Sequence, residues 1–212
     1  TIMRKHLSKV LVAVILVMAI IIGYLLIVQN AMETSFNSEV EWLCTDDLLS
    51  DSQAFLDCIR DCRDEPTEAA YVKMYYQANV CRNEMRNLRM FCLNWPASKY
   101  YSTGKNSVRV EDEKIPLEDQ SRVATRIERG LYRFTNTIDE WTADENFCES
   151  NAENPEFQNF LTRTEKDMTA FVTELKKYDF SKANTAEELF ARYYAVLYAM
   201  RDYRESFIFS AE

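Results

Sequence analysis

The sequence predicts an all-α protein: one N-terminal transmembrane helix followed by a disulfide-stapled extracytoplasmic helical bundle of about four to five helices. Three observations predict it. Only three Gly and four Pro occur in 212 residues, and so few breakers favour long helices over a turn-rich β fold. Residues 10–28 form one uninterrupted apolar run, and apolar side chains recur at helical spacing through most of the remaining chain. With 47% hydrophobic and 28% charged residues, the composition is that of a globular chain with ample core.

The first thirty residues set the anchor. A basic stub (1–9) carries Arg4, Lys5, His6 and Lys9. "VLVAVILVMAIIIGYLLIV" then runs from Val10 to Val28 with no charged side chain. Nineteen residues at about 1.5 Å each cover roughly 28 Å, close to the hydrocarbon thickness of a bilayer. A cleaved signal peptide would have a shorter apolar region and a small-x-small cleavage site. "QNAMETSF" comes next instead, with Ala31 small but Gln at position 29. Residues 10–29 therefore read as an uncleaved signal anchor in contact with the lipid bilayer.

Charge asymmetry gives the orientation. Three Lys/Arg and no acid precede the span, and the first basic residue after it is Arg60. Glu33, Glu39, Glu41, Asp46, Asp47, Asp51 and Asp57 lie between. The positive-inside rule puts the N-terminus in the cytoplasm and the rest outside it. In a bacterium that is a single-pass inner-membrane protein with a periplasmic domain. The alternative is a mitochondrial inner membrane, facing the intermembrane space. Residues 32–212 hold 34 acidic against 22 basic residues, a net charge of −12. Such a surface repels nucleic acid and anionic headgroups as a whole.

Residues 30–65 form a membrane-proximal helical segment. The anchor continues as helix through Phe36, Val40 and Leu43, and a second helix starts at a Ser50 or Asp51 cap. Pro66 reads as the first position of a helix reaching Asn94. The bundle occupies 66–212, with a long loop at 96–116 in which "SVRVEDEKI" can pair as two short strands. From Leu117, Val123, Ile127, Leu131, Phe134, Ile138 and Trp141 make one helical stripe. Phe157 to Leu175 repeats the pattern. Thr185 and Glu188 form a capping box for a last helix running to Phe207.

"CIRDC", residues 58 to 62, poses the question of chemistry. All six cysteines, Cys44, Cys58, Cys62, Cys81, Cys92 and Cys148, lie beyond the span. An even count in the exported part points to an oxidising compartment and up to three disulfides. A metal is not expected, because the single histidine, His6, is in the stub and only one short C-x2–4-C pair, Cys58 and Cys62, exists. Thiol catalysis is disfavoured by Asp57, Asp61 and Asp64, whose charge opposes a thiolate. The spacing resembles helical hairpins held by paired cysteines, such as the twin C-x3-C and C-x9-C mitochondrial proteins. That resemblance covers one pair and carries no family, since the second spacing is C-x10-C. A geometric pairing is Cys62 with Cys81, Cys44 with Cys92, and Cys58 with Cys148, one of fifteen arrangements.

Other chemistry is sparse. The lack of histidine beyond the stub excludes Ser-His-Asp and Cys-His catalysis there. "TGKNS" lacks the spacing of a phosphate loop. The acidic stretch from Asp139 to Glu156, including Asp144 and Glu145, lacks the alternation and central Gly of a calcium loop. No cofactor is expected. Twelve tyrosines are present; most belong in a bundle core, but Tyr71, Tyr75, Tyr194 and Tyr198, with Asp144 and Glu145, are candidates for a docking surface. The leading expectation is a non-catalytic accessory or scaffold subunit of a larger membrane complex. Two alternatives remain open. A ligand-binding sensor domain would take a small molecule, but the nine-residue stub offers no output module. A pilin-like filament subunit would match only in layout.

Overall fold

The structure, a computed structural model, describes residues 2–43, 47–94, 99, 103–117, 120–142 and 154–203, without the side chains of 2–10, 41–43, 47, 120–121 and 141–142. Helix α1 runs unbroken over Ile2–Leu43. Its large side chains from Leu11 to Ile27 are exposed, and the helix is long and apolar enough to cross a membrane, with mean hydropathy 3.2. It covers the expected apolar run and its helical continuation to Leu43.

Helices α2 (Asp47–Asp64) and α3 (Glu68–Leu93) form a hairpin. Gln77 Nε2 donates to the Asp51 carboxylate at 3.1 Å, and Lys73 pairs with Asp61 at 3.7 Å, so the two helices run antiparallel. The sequence places Pro66 as the first helical residue. The structure instead makes Thr67 the cap, with its hydroxyl accepting from Ala70 N at 3.2 Å. A side-chain acceptor at that position outweighs the fixed φ of a proline one residue earlier. Helix α2 also begins before Ser50, since buried Leu48 extends its apolar face.

Strands β1 (Ser107–Val110) and β2 (Glu113–Pro116) pair antiparallel, with Val108 opposite Ile115. Glu111 in the turn adopts φ 54°. Alternation buries Val108, Val110 and Ile115, which makes the hairpin a small lid on the bundle. Leu117 donates its N–H to Asn106 O at 3.0 Å, so it closes the hairpin rather than opening the next helix.

Helix α4 (Gln120–Thr142) buries the predicted stripe from Val123 to Ile138; the side chain of Trp141 lies outside the described residues. Helix α5 (Pro155–Lys177) is capped by Asn154, whose side chain accepts from Glu156 N at 2.9 Å. Helix α6 (Ala186–Ala199) has the predicted capping box: Glu188 N donates to Thr185 Oγ1 at 3.2 Å. The reciprocal bond comes from Asn184 N to Glu188 at 2.7 Å. A 3-10 turn, Met200–Tyr203, comes after it; Phe207 lies outside the described residues.

Aromatic rings knit the helices together. Phe55 of α2 meets Phe134 of α4 edge-on at 5.0 Å. Phe134 stacks on Phe160 of α5 at 5.3 Å, and Phe157 meets Tyr71 of α3 at 5.5 Å. Each such pair contributes about 0.5–1.5 kcal/mol beyond its buried area. At the rim, Glu165 of α5 accepts from Arg60 Nε at 2.8 Å and also from Arg63 of α2. Tyr178 donates to Glu113 at 2.7 Å, and Lys177 donates to Tyr178 at 2.9 Å, which pins the hairpin to the end of α5.

Phe134→Ala is expected to cost about 3–5 kcal/mol, because it empties the shared centre of this ring cluster; denaturant unfolding of the full chain measures it. The Tyr178 bond holds the Glu113 carboxyl below its usual range. Its stabilisation is therefore present above the unfolded carboxylate value and is lost as pH falls through the lowered one. Glu113→Gln should be less stable than the native chain at neutral pH, with the difference shrinking toward pH 3 in thermal melts.

Candidate functional site

The four described cysteines, Cys58, Cys62, Cys81 and Cys92, are buried thiols, none of them bridged. The expected Cys62–Cys81 disulfide is not formed, and helix register explains why. Cys81 faces Ser52 and Asp51 in the first half of α2, whereas Cys62 lies ten residues further along. That offset is about 15 Å along the axis, more than twice the Cα separation a disulfide spans. Cys44 and Cys148, and so the other two pairings, lie outside the described residues. Burial pushes the Cys81 thiol up, well beyond its ordinary value, against a smaller lowering by Ser52. Cys58 is raised by burial first, with Lys73 opposing and Asp61 and Asp57 adding to it. Both stay protonated at neutral pH, where a thiol is a weak nucleophile.

The tyrosines divide. Tyr71 and Tyr194, expected at a docking surface, are 1% exposed and belong to the core. Their rings face Phe157 at 5.5 Å and Phe190 at 4.4 Å. Tyr75 is half-buried against the core, and Tyr198 is half-buried beneath the Arg201 guanidinium, 3.8 Å from its ring centre. Asp144 and Glu145 lie outside the described residues. Exposed aromatic surface falls instead on Tyr76 and Tyr132.

The junction between α1 and the bundle is built from one face of the helix. Glu33 accepts from Lys99 at 3.2 Å, and Lys99 also reaches Glu187 at 3.5 Å. Phe36 meets Phe91 at 5.6 Å. Asn37 Oδ1 accepts from Ala186 N at 3.0 Å and so caps α6 from outside. Val40 is 1% exposed. Positions 33, 36, 37 and 40 share a helix face, so α1 joins the bundle within about 8 Å of the end of its apolar run at Val28.

Two clefts open among the described residues. One, of about 500 Å³, lies between the hairpin and α6, lined by Lys105, Arg109, Lys114, Glu187 and Glu188 among others; Lys105 pairs with Glu187 at 3.6 Å. The other, of about 300 Å³, lies on α4 and is lined by Arg122, Thr125, Arg126 and Arg129. With Arg133 these arginines are spaced 4-3-4, a single row along the helix. Sequence reasoning missed this row. Its spacing is plain in the chain, but a net charge of −12 over residues 32–212 hides a local excess of cations. Among the described residues no group of His, Cys, Asp and Glu could hold a metal ion.

In a variant with Cys44 and Cys148 replaced by Ser, the four core thiols should resist iodoacetamide at pH 8. All four should react once guanidinium unfolds the chain, without any reductant; a requirement for reductant would mean a bridged pair. Comparison with protein-family models, with curated proteins and with solved structures gives no match.

Proposed function

We propose that the protein is a non-catalytic accessory or scaffold subunit of a larger membrane complex. Residues 10–29 cross the bilayer with the N-terminus in the cytoplasm, and the acidic bundle stands in the periplasm, or in the intermembrane space if the membrane is mitochondrial. The observation that carries this proposal is the continuity of α1. The helix passes from its apolar run to Val40 in the bundle core without a linker. The anchor therefore sets the height and rotation of the ectodomain, which suits a part whose role is positional. The disulfides expected from six exported cysteines form no part of the proposal, because the four described thiols are unbridged.

A ligand sensor is the second reading, and the cleft between the hairpin and α6 favours it. Its mixed cations and carboxylates suit a small zwitterion.

Size fractionation of native membranes in mild detergent separates the two. The accessory subunit should co-migrate in fixed stoichiometry with a large membrane complex and should be depleted when that complex is removed. Migration alone, together with thermal stabilisation by a small molecule, would replace the scaffold with the sensor.

A further inference from the structure

The arginine row on α4 stands against the charge of the rest of the ectodomain. From Gln120 to Ile138 the chain holds four arginines and one acid, Glu128. That acid is already engaged, pairing with Arg89 of α3 at 2.9 Å. Arg126 and Arg129 have no ion-pair partner among the described residues, and the Nη1 atom of Arg126 is buried with no hydrogen-bond acceptor. Its acceptor has to come from water or from a bound group. Arg122, Arg126 and Arg129 together line the 300 Å³ cleft, with forks suited to a planar carboxylate or to phosphate.

The surroundings favour a protein over a lipid or a free anion. Arg89 meets Glu128, and Arg82 lies over the Tyr132 ring at 5.3 Å, so α4 runs antiparallel to α3. The end of α3 bearing Phe91 meets Phe36 of α1. The row therefore climbs away from the anchor, over about 16 Å from Arg122 to Arg133. The Arg122 end lies nearest α1, and one small anion fills only the cleft. A polypeptide carrying several carboxylates engages the whole row. Exposed Tyr132 beside the row adds an aromatic side chain to the arginines, a pairing enriched at protein interfaces.

We propose that Arg122, Arg126, Arg129 and Arg133, flanked by Tyr132, form the docking surface for a carboxylate-rich helical segment of a partner protein. This deepens the accessory-subunit proposal by naming the face and the chemistry of its partner. The row takes acidic side chains repeating at i, i+4, i+7 and i+11, which match its own spacing.

The test uses the full chain in neutral phosphatidylcholine nanodiscs, so its outcome does not depend on whether a native complex is recovered. The probe is a fluorescein-labelled alanine-based helical peptide with Glu at those four positions, alongside the same peptide with Gln. Anisotropy should show the Glu peptide binding despite the net negative charge of the protein, and weakening as salt rises. The Gln peptide should bind at least tenfold more weakly. Arg129→Gln, at an exposed position, and Arg126→Lys, which keeps the charge but loses the fork, should each weaken binding about tenfold with unchanged thermal stability. Arg163→Gln, an exposed arginine on α5, should leave it unchanged. Equal binding of the two peptides, or equal loss in the Arg163 variant, overturns the proposal. So does binding of phosphatidylglycerol vesicles or inorganic phosphate, lost in the Arg129 variant, without binding of the Glu peptide.

Discussion

Helix α1 leaves its apolar run and enters the bundle without a break, and the placement of the rest of the chain depends on that. The face that enters is narrow: Glu33, Phe36, Asn37 and Val40. It supplies an ion contact to Lys99, a ring contact to Phe91, a cap for α6 and one fully buried side chain. Each contributes on the order of 1 kcal/mol, and they act together because a continuous helix holds them in register. The Asn37 cap matters most for geometry. It satisfies an N–H of the first turn of α6 from a different helix, which ties the start of α6 to α1. The hairpin lid packs on α6, and the end of α5 is tied to the hairpin through Tyr178 and Glu113.

The buried thiols show how the same residue type serves two ends. Six cysteines beyond a membrane span argue for staples, and on one helix Cys58 and Cys62 do share a face. What they face is the bundle core. Cys58, Cys62, Cys81 and Cys92 are each 3% exposed or less, and a buried thiol packs as a small hydrophobe. The hairpin register, fixed by Gln77 against Asp51 and Lys73 against Asp61, sets Cys81 against Ser52 and leaves Cys62 near the turn. Stability here comes from ring packing around Phe134 and from the Glu165 clamp, neither of which requires an oxidising environment.

The parts of the fold legible in the chain are those set by local periodicity. The apolar N-terminal helix, the α4 stripe, the Thr185 box and the β-prone "SVRVEDEKI" each depend on local pattern, and each forms where the pattern puts it. Boundaries drifted where two local signals competed, as Thr67 did against Pro66. Contacts across the bundle were not legible. The cysteine pairing needed the α2–α3 register, and separating core from surface tyrosines needed the packing of α3 and α6. Tyr71 and Tyr76 lie five apart on one helix and end on opposite sides of it, one at 1% exposure and the other at 66%. The arginine row was visible as spacing but not as a surface, because a whole-chain charge averages over faces.

That averaging conceals a segregation of charge along the bundle axis. Asp57, Asp61, Asp64, Glu65 and Glu68 crowd the α2–α3 turn, and Asp139 and Glu140 end α4. Because α3 and α4 run antiparallel, with the far end of α3 at α1, these acids gather at the pole opposite the anchor. The arginines run back from there toward the α1 end. A field of this form repels an acidic chain at the outer pole and attracts it along the flank, which orients an encounter before any contact is made. Over a Debye length of about 8 Å at physiological salt, only the nearest charges contribute, so orientation is decided by the faces and not by the net −12. Net acidity and a local row of cations are therefore compatible within one domain, because each charge acts mainly on its own face.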